Sequence, residues 1–109
     1  ADAINLYLSG KRVVAIVGML KDKEISKVLG LVAPLISDFI VVQPDNPRAM
    51  DKFELNELVK IFNENSVVAE DLSVAVGLAF KKLTEDSVLL VFGSLYLASQ
   101  IRPILLSFF

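Results

Sequence analysis

The chain has 109 residues, one domain's worth, of which 54% are hydrophobic with a mean hydropathy of +0.60, so it can bury a sizeable core without disulfide or metal staples. It holds neither Cys nor His, which excludes thiolate nucleophiles and zinc–thiolate centres and removes the commonest general base and metal ligand. A net charge of −2, a pI near 5.0 and dispersed Lys and Arg residues leave no basic stripe for nucleic acid, and the absence of Cys fits a reducing, cytoplasmic compartment.

Ala1-Asp2-Ala3-Ile4 reads as helix, with no signal-peptide pattern. Arg12 to Val17 is an uncharged β-branched run after its first residue and reads as a buried strand ending at Gly18. From Glu24 to Ile36 the apolar residues Ile25, Val28, Leu29, Val32 and Leu35 recur at helical spacing. Phe39 to Val42 is the second strand, closed by Gln43-Pro44-Asp45-Asn46-Pro47, where two prolines bar both helix and ladder.

Asp51 is an N-cap with Glu54 as its capping-box partner, and Phe53, Leu55, Leu58, Val59, Ile61 and Phe62 are expected on the buried face of that helix. Ser66 to Ala69 is a short third strand. Asp71 starts another helix, with Leu72, Val76, Ala79, Phe80 and Leu83 on one face. Thr84-Glu85-Asp86 turns into the fourth strand, Val88 to Phe92, and a last helix runs from about Ser94 until Pro103 disturbs it. The charge-free stretch from Ser87 to Ile101 is about 15 residues, short of the roughly 20 a spanning helix needs, so no membrane segment is expected.

Strands alternating with helices predict an α/β fold: a three-layer, Rossmann-like, mostly parallel sheet with helices on both faces. Such a fold normally leads with a strand, so a chain that leads with a helix is expected to be part of something longer, its first strand lying before Ala1.

Three loops fall at strand carboxyl ends, where ligands bind in open α/β sheets. The first, Gly18 to Glu24, has a Gly that permits a tight exit, Asp22 as a possible helix cap, and the ammonium groups of Lys21 and Lys23 near a helix N-terminus. A solvated, capped turn has the same composition. The second, Pro44 to Arg48, is a rigid turn with an Arg able to grip an anion bidentately. The third is Gly93-Ser94-Leu95-Tyr96, where Ser94 can cap the helix or donate to a carboxylate and Tyr96 brings a hydroxyl to the rim. No Gly-x-x-x-x-Gly-Lys-Ser/Thr and no Gly-x-Gly-x-x-Gly occurs, which argues against a nucleotide held by this chain alone.

Four pieces occur together in order: Val17 to Glu24, Gln43 to Ala49, Val68 to Asp71 and Gly93 to Leu97. In this arrangement the chain resembles the C-terminal domain of folylpolyglutamate synthase/dihydrofolate synthase, in the Mur ligase superfamily. The resemblance reaches about Arg102, and the tail from Pro103 to Phe109 has no counterpart. It implies an ATP-dependent amide ligase adding L-glutamate to dihydropteroate and/or folate through an acyl phosphate. ATP and Mg2+ then belong to the full-length enzyme, with a central P-loop ATPase domain of the same polypeptide as partner.

By the same resemblance Lys23 and Ser94 meet the glutamate carboxylate, while Asp22, Arg48 and Tyr96 are loop contacts. Two departures stand out: the family's Asp-Gly-Ala-His-Asn-Pro stretch is not in this chain, and Glu24 stands where Asp is common. Glu24 serves as a helix N-terminal acid as Asp would, but with that stretch, the P-loop domain, the magnesium ligands and the linker arginine all missing, the isolated domain is expected to be inactive. A peptidoglycan Mur ligase domain and a free-standing flavodoxin-like interaction module are the alternatives.

Overall fold

A computed structural model describes residues 12–21, 24–83, 87–92 and 100–104. Strand β1 (Arg12–Val17) is followed by helix α1 (Ile25–Val32), a 3-10 turn (Ala33–Leu35) and β2 (Asp38–Val41). Then come α2 (Lys52–Phe62), β3 (Ser66–Val68), α3 (Leu72–Lys82) and β4 (Ser87–Phe92), with residues 100–104 again helical.

The four strands form one parallel sheet in the order β3-β2-β1-β4. From β1 the chain moves outward through β2 to β3, then returns across the sheet to place β4 on the other side of β1. This is the strand order of one half of a doubly wound sheet. β1 is flanked on both sides, so β3 and β4 are the outer strands of the described sheet.

Period-two alternation sorts the strand residues between two cores. Val13, Ala15, Val17, Phe39 and Val41 face α1 and α2, packing against Ile25, Leu29, Leu55 and Val59. Val14, Ile16, Ile40 and Val42 face α3 and the terminal helical turn, against Ala75, Val76, Ala79 and Ile101. Reversing direction across the sheet therefore switches the covering face, as right-handed crossovers demand. The result is the expected three-layer α/β architecture, with β1 from Val13 to Val17 fully buried.

Several elements differ from the sequence reading. The first helix stops at Val32, because Pro34 has no N–H to donate and its ring conflicts with the carbonyl four residues back; the chain tightens into the 3-10 turn instead. On α2 only Leu55 and Val59 are fully buried. Phe53 and Ile61, expected inside, are 62% and 72% exposed, and Phe62 is 42% exposed. At 100° per residue Phe53 stands about 160° from Leu55, so it belongs to the outer face.

The cap at Asp51 is as expected: its Oδ2 accepts from the N–H groups of Phe53 (3.0 Å) and Glu54 (3.1 Å). Asp71 caps α3 through Val74 N–H (2.9 Å). The terminal helix continues through Pro103 to Ile104 rather than being broken there, its turn held by Ile101, which is 1% exposed.

Candidate functional site

With all strands parallel, their carboxyl ends define one edge, and its loops are joined by backbone contacts. Leu20 and Ala49 form an antiparallel bridge, flanked by Met50 N–H to Met19 O (2.8 Å) and Lys21 N–H to Arg48 O (2.8 Å). The β1–α1 and β2–α2 loops thus run as a two-stranded ribbon above the sheet. Pro44 is buried at its base, against Gly18.

Within the β2–α2 loop, Asn46 N–H donates to Pro44 O (2.9 Å), Ala49 N–H to Asn46 O (2.9 Å) and Arg48 N–H to Asn46 Oδ1 (2.8 Å). These bonds give Pro44 to Ala49 one shape, with Arg48 exposed. Lys52 ties the loop to the next one: its N–H donates to Gln43 Oε1 (3.2 Å) and its Nζ to Glu70 O (2.8 Å). On the opposite flank Gln100 makes a reciprocal pair with Asp45, accepting from Asp45 N–H (2.9 Å) and donating from Nε2 to Asp45 O (3.1 Å).

The exits of β1 and β4 are neighbours, since Val17 is the register partner of Phe92. Between them the chain direction diverges, one strand leading into α1 on one face and the other toward the terminal helix on the opposite face. That is the switch point of a doubly wound sheet, the crevice where ligands sit. The loops that carry Lys23 and Ser94 in sequence are those that leave these two strands.

Of the five residues singled out from the sequence, Arg48 is described; Asp22, Lys23, Ser94 and Tyr96 lie outside the described residues. The N-cap position of α1 falls on Glu24 rather than on Asp22. Glu24 makes no side-chain cap bond and pairs with Lys27 Nζ at 3.6 Å. Sequence reading overlooked Gln43, Lys52 and Gln100, which organise the edge. Gln100 carried a signal, being the one side-chain amide in the charge-free stretch from Ser87 to Ile101.

The opposite edge is closed by charge. Asp38, at the start of β2, accepts from the Arg12 guanidinium and lies 3.9 Å from Lys82 Nζ. A cleft of about 240 Å³ opens beside it, lined by Glu64, Asn65, Ser66 and Lys82 among others. It lies at the amino ends of β2 and β3, away from the crevice. Among the described residues no cluster of Asp and Glu could hold a metal ion, and no helix is long and apolar enough to cross a membrane.

The family model for the Mur ligase glutamate ligase domain matches residues 1–95. The chain belongs to this family. It is 32% identical over 100 residues to the dihydrofolate synthase/folylpolyglutamate synthase of Haemophilus influenzae, covering 90% of this chain and 23% of that protein. The structure of the Thermotoga maritima folylpolyglutamate synthase superposes with a TM-score of 0.77 at 29% identity, covering 95% of this chain and 23% of that one.

The bifunctional Yersinia pestis folylpolyglutamate synthase/dihydrofolate synthase, complexed with AMPPNP and a Mn ion, shares the fold (TM-score 0.73, 21% identity, 86% of this chain and 22% of that one). This family chain thus spans about a quarter of the length of the ligases it matches.

Proposed function

We propose that this domain supplies the amino-acid side of an ATP-dependent amide ligase that adds L-glutamate to dihydropteroate and/or folate. The observation that carries this reading is the adjacency of the β1 and β4 exits, Val17 beside Phe92, at the switch point of a glutamate ligase fold. Lys23, six residues past Val17, contributes an ammonium group. Ser94, two residues past Phe92, contributes a hydroxyl. A cation and a hydroxyl at the carboxyl edge of a parallel sheet suit the carboxylate of an incoming amino acid. In this reading Arg48, Asp22 and Tyr96 serve as loop contacts.

The chain has no phosphate-binding Gly-x-x-x-x-Gly-Lys-Ser/Thr, and its described residues offer no metal-ligating cluster. In this reading nucleotide and metal are held by a P-loop ATPase domain elsewhere in the polypeptide. This domain binds and orients glutamate, and in isolation it does not turn over.

The test is made on the full-length enzyme, following ADP release with dihydropteroate or a reduced folate as acceptor. Release is expected to depend on L-glutamate, and Lys23→Ala is expected to raise the KM for glutamate about tenfold or more, on the scale of a lost charge-assisted hydrogen bond. Turnover supported by another amino acid in preference to glutamate overturns the folate assignment in favour of a peptidoglycan ligase. Absence of any amino-acid-dependent ADP release favours an interaction module.

A further inference from the structure

We infer that the cleft at the amino ends of β2 and β3 is a binding site for a small zwitterion, one carboxylate and one ammonium group on a short aliphatic frame, as in a free aliphatic amino acid. It is a second site, on the edge opposite the crevice, and it does not rest on the ligase reading above. Its volume of about 240 Å³ lies below the roughly 300–1,000 Å³ of pockets that take drug-sized ligands, so it suits a molecule of amino-acid size rather than a nucleotide.

Part of the polar wall is already engaged by the fold. The Ser66 hydroxyl donates to Asn56 Oδ1, and Asn65 Nδ2 donates to Ser37 O (3.3 Å). The charged groups are not so engaged. Lys82 Nζ stands 3.9 Å from Asp38 Oδ1, beyond hydrogen-bond reach, and Arg12 takes the other oxygen, Oδ2. Among the described residues Lys82 Nζ, Asp38 Oδ1 and the Glu64 carboxylate make no hydrogen bond. Every fully buried side-chain nitrogen and oxygen atom among those residues has a partner, so Oδ1 opens onto the cleft.

Both signs of charge therefore face one small space. An anion alone is opposed by Asp38 and Glu64, and a cation alone by Lys82. A zwitterion satisfies both: its carboxylate accepts from Lys82 Nζ while its ammonium donates to Asp38 Oδ1 and Glu64. Val67, 42% exposed on the same wall, offers apolar surface to an aliphatic side chain. A second carboxylate would sit against Asp38 and Glu64, so the cleft discriminates against glutamate.

The test is saturation-transfer NMR on the full-length protein with L-valine and with its two halves, isobutylamine, which lacks the carboxylate, and 3-methylbutanoate, which lacks the ammonium. Valine is expected to bind with a Kd on the order of 1 mM, and each half about tenfold more weakly, the scale of one lost charge-assisted hydrogen bond. Excess L-glutamate is expected to leave the valine signal in place. Glu64→Gln removes a charge at an exposed position without touching the Arg12–Asp38–Lys82 group, and should weaken valine binding about threefold to fivefold.

Lys82→Met is expected to abolish the valine signal, with the Tm recorded on the same sample to show that the protein is folded. No valine signal from the wild type, equal binding of valine and either half, displacement by glutamate, or valine binding unchanged in Glu64→Gln overturns the assignment, as does unchanged binding in folded Lys82→Met. Glutamate-dependent ADP release without valine binding refutes this site and leaves the ligase reading standing.

Discussion

Gly18 sits where β1 leaves the sheet, and a Cβ built on it would lie 2.9 Å from Pro44 Cδ, 3.1 Å from Pro44 Cγ and 3.1 Å from the Val42 carbonyl oxygen. The position needs a glycine for space. The sequence shows Gly18 as a tight exit, but its conflict partner lies 26 residues on and is visible only in the fold. A proline ring and a backbone oxygen cannot rotate aside as a long side chain can. Gly18→Ala is therefore expected to destabilise the domain by about 1–3 kcal/mol, the usual scale of overpacking, measurable by urea unfolding. A change under about 0.5 kcal/mol would show that the loop gives way freely.

At the scale of elements, helix α2 shows what a sequence discloses and what it withholds. Its start was legible because Asp51 can satisfy N–H groups that no preceding turn reaches, and that chemistry is local. The inward pair Leu55 and Val59 was legible from spacing. The outward Phe53 and Ile61 were not, because apolar residues surround too much of this helix for composition to choose a face. Pro34 declared a helix end, yet the apolar spacing around it masked the signal.

The hydrogen bonds of Gln43, Lys52 and Gln100 are of another kind. The bonds of Lys52 Nζ to Glu70 and of Gln100 to Asp45 join segments whose proximity exists only once the sheet has formed, so no local pattern announces those pairings, although Gln100 stands out in the sequence as a lone amide. For α2 the expectation is specific: Asp51→Ala costs about 1 kcal/mol through loss of the cap, while Ile61→Lys, at a position 72% exposed, stays within about 0.5 kcal/mol. Equilibrium denaturation of the two variants decides it. A larger loss from Ile61→Lys than from Asp51→Ala would mean that the outer face of α2 is covered.

Across the whole molecule the parallel sheet imposes a polarity. Every strand ends on the edge where the loops converge and begins on the edge sealed by Arg12, Asp38 and Lys82. Asp38 is buried to 9% exposure beside two cations, and its neighbour Ser37 links the edge further, accepting from Val13 N–H at 3.2 Å. This end binds the start of β2 to the start of β1 and the end of α3, and it is a sheet's length from the crevice.

Stability and substrate binding should therefore respond to different residues. Asp38→Asn keeps the size of the side chain but removes the charge that Arg12 and Lys82 share. It is expected to cost about 1–3 kcal/mol, lowering the Tm, while the glutamate KM of the full-length enzyme stays within twofold of wild type. On the function proposed above, Lys23→Ala should do the reverse, raising that KM while barely moving the Tm. The two variants, measured by thermal unfolding and steady-state kinetics on the same preparations, separate the edges. A glutamate KM that rises in Asp38→Asn would mean the amino edge communicates with the crevice through β1, the strand both edges share.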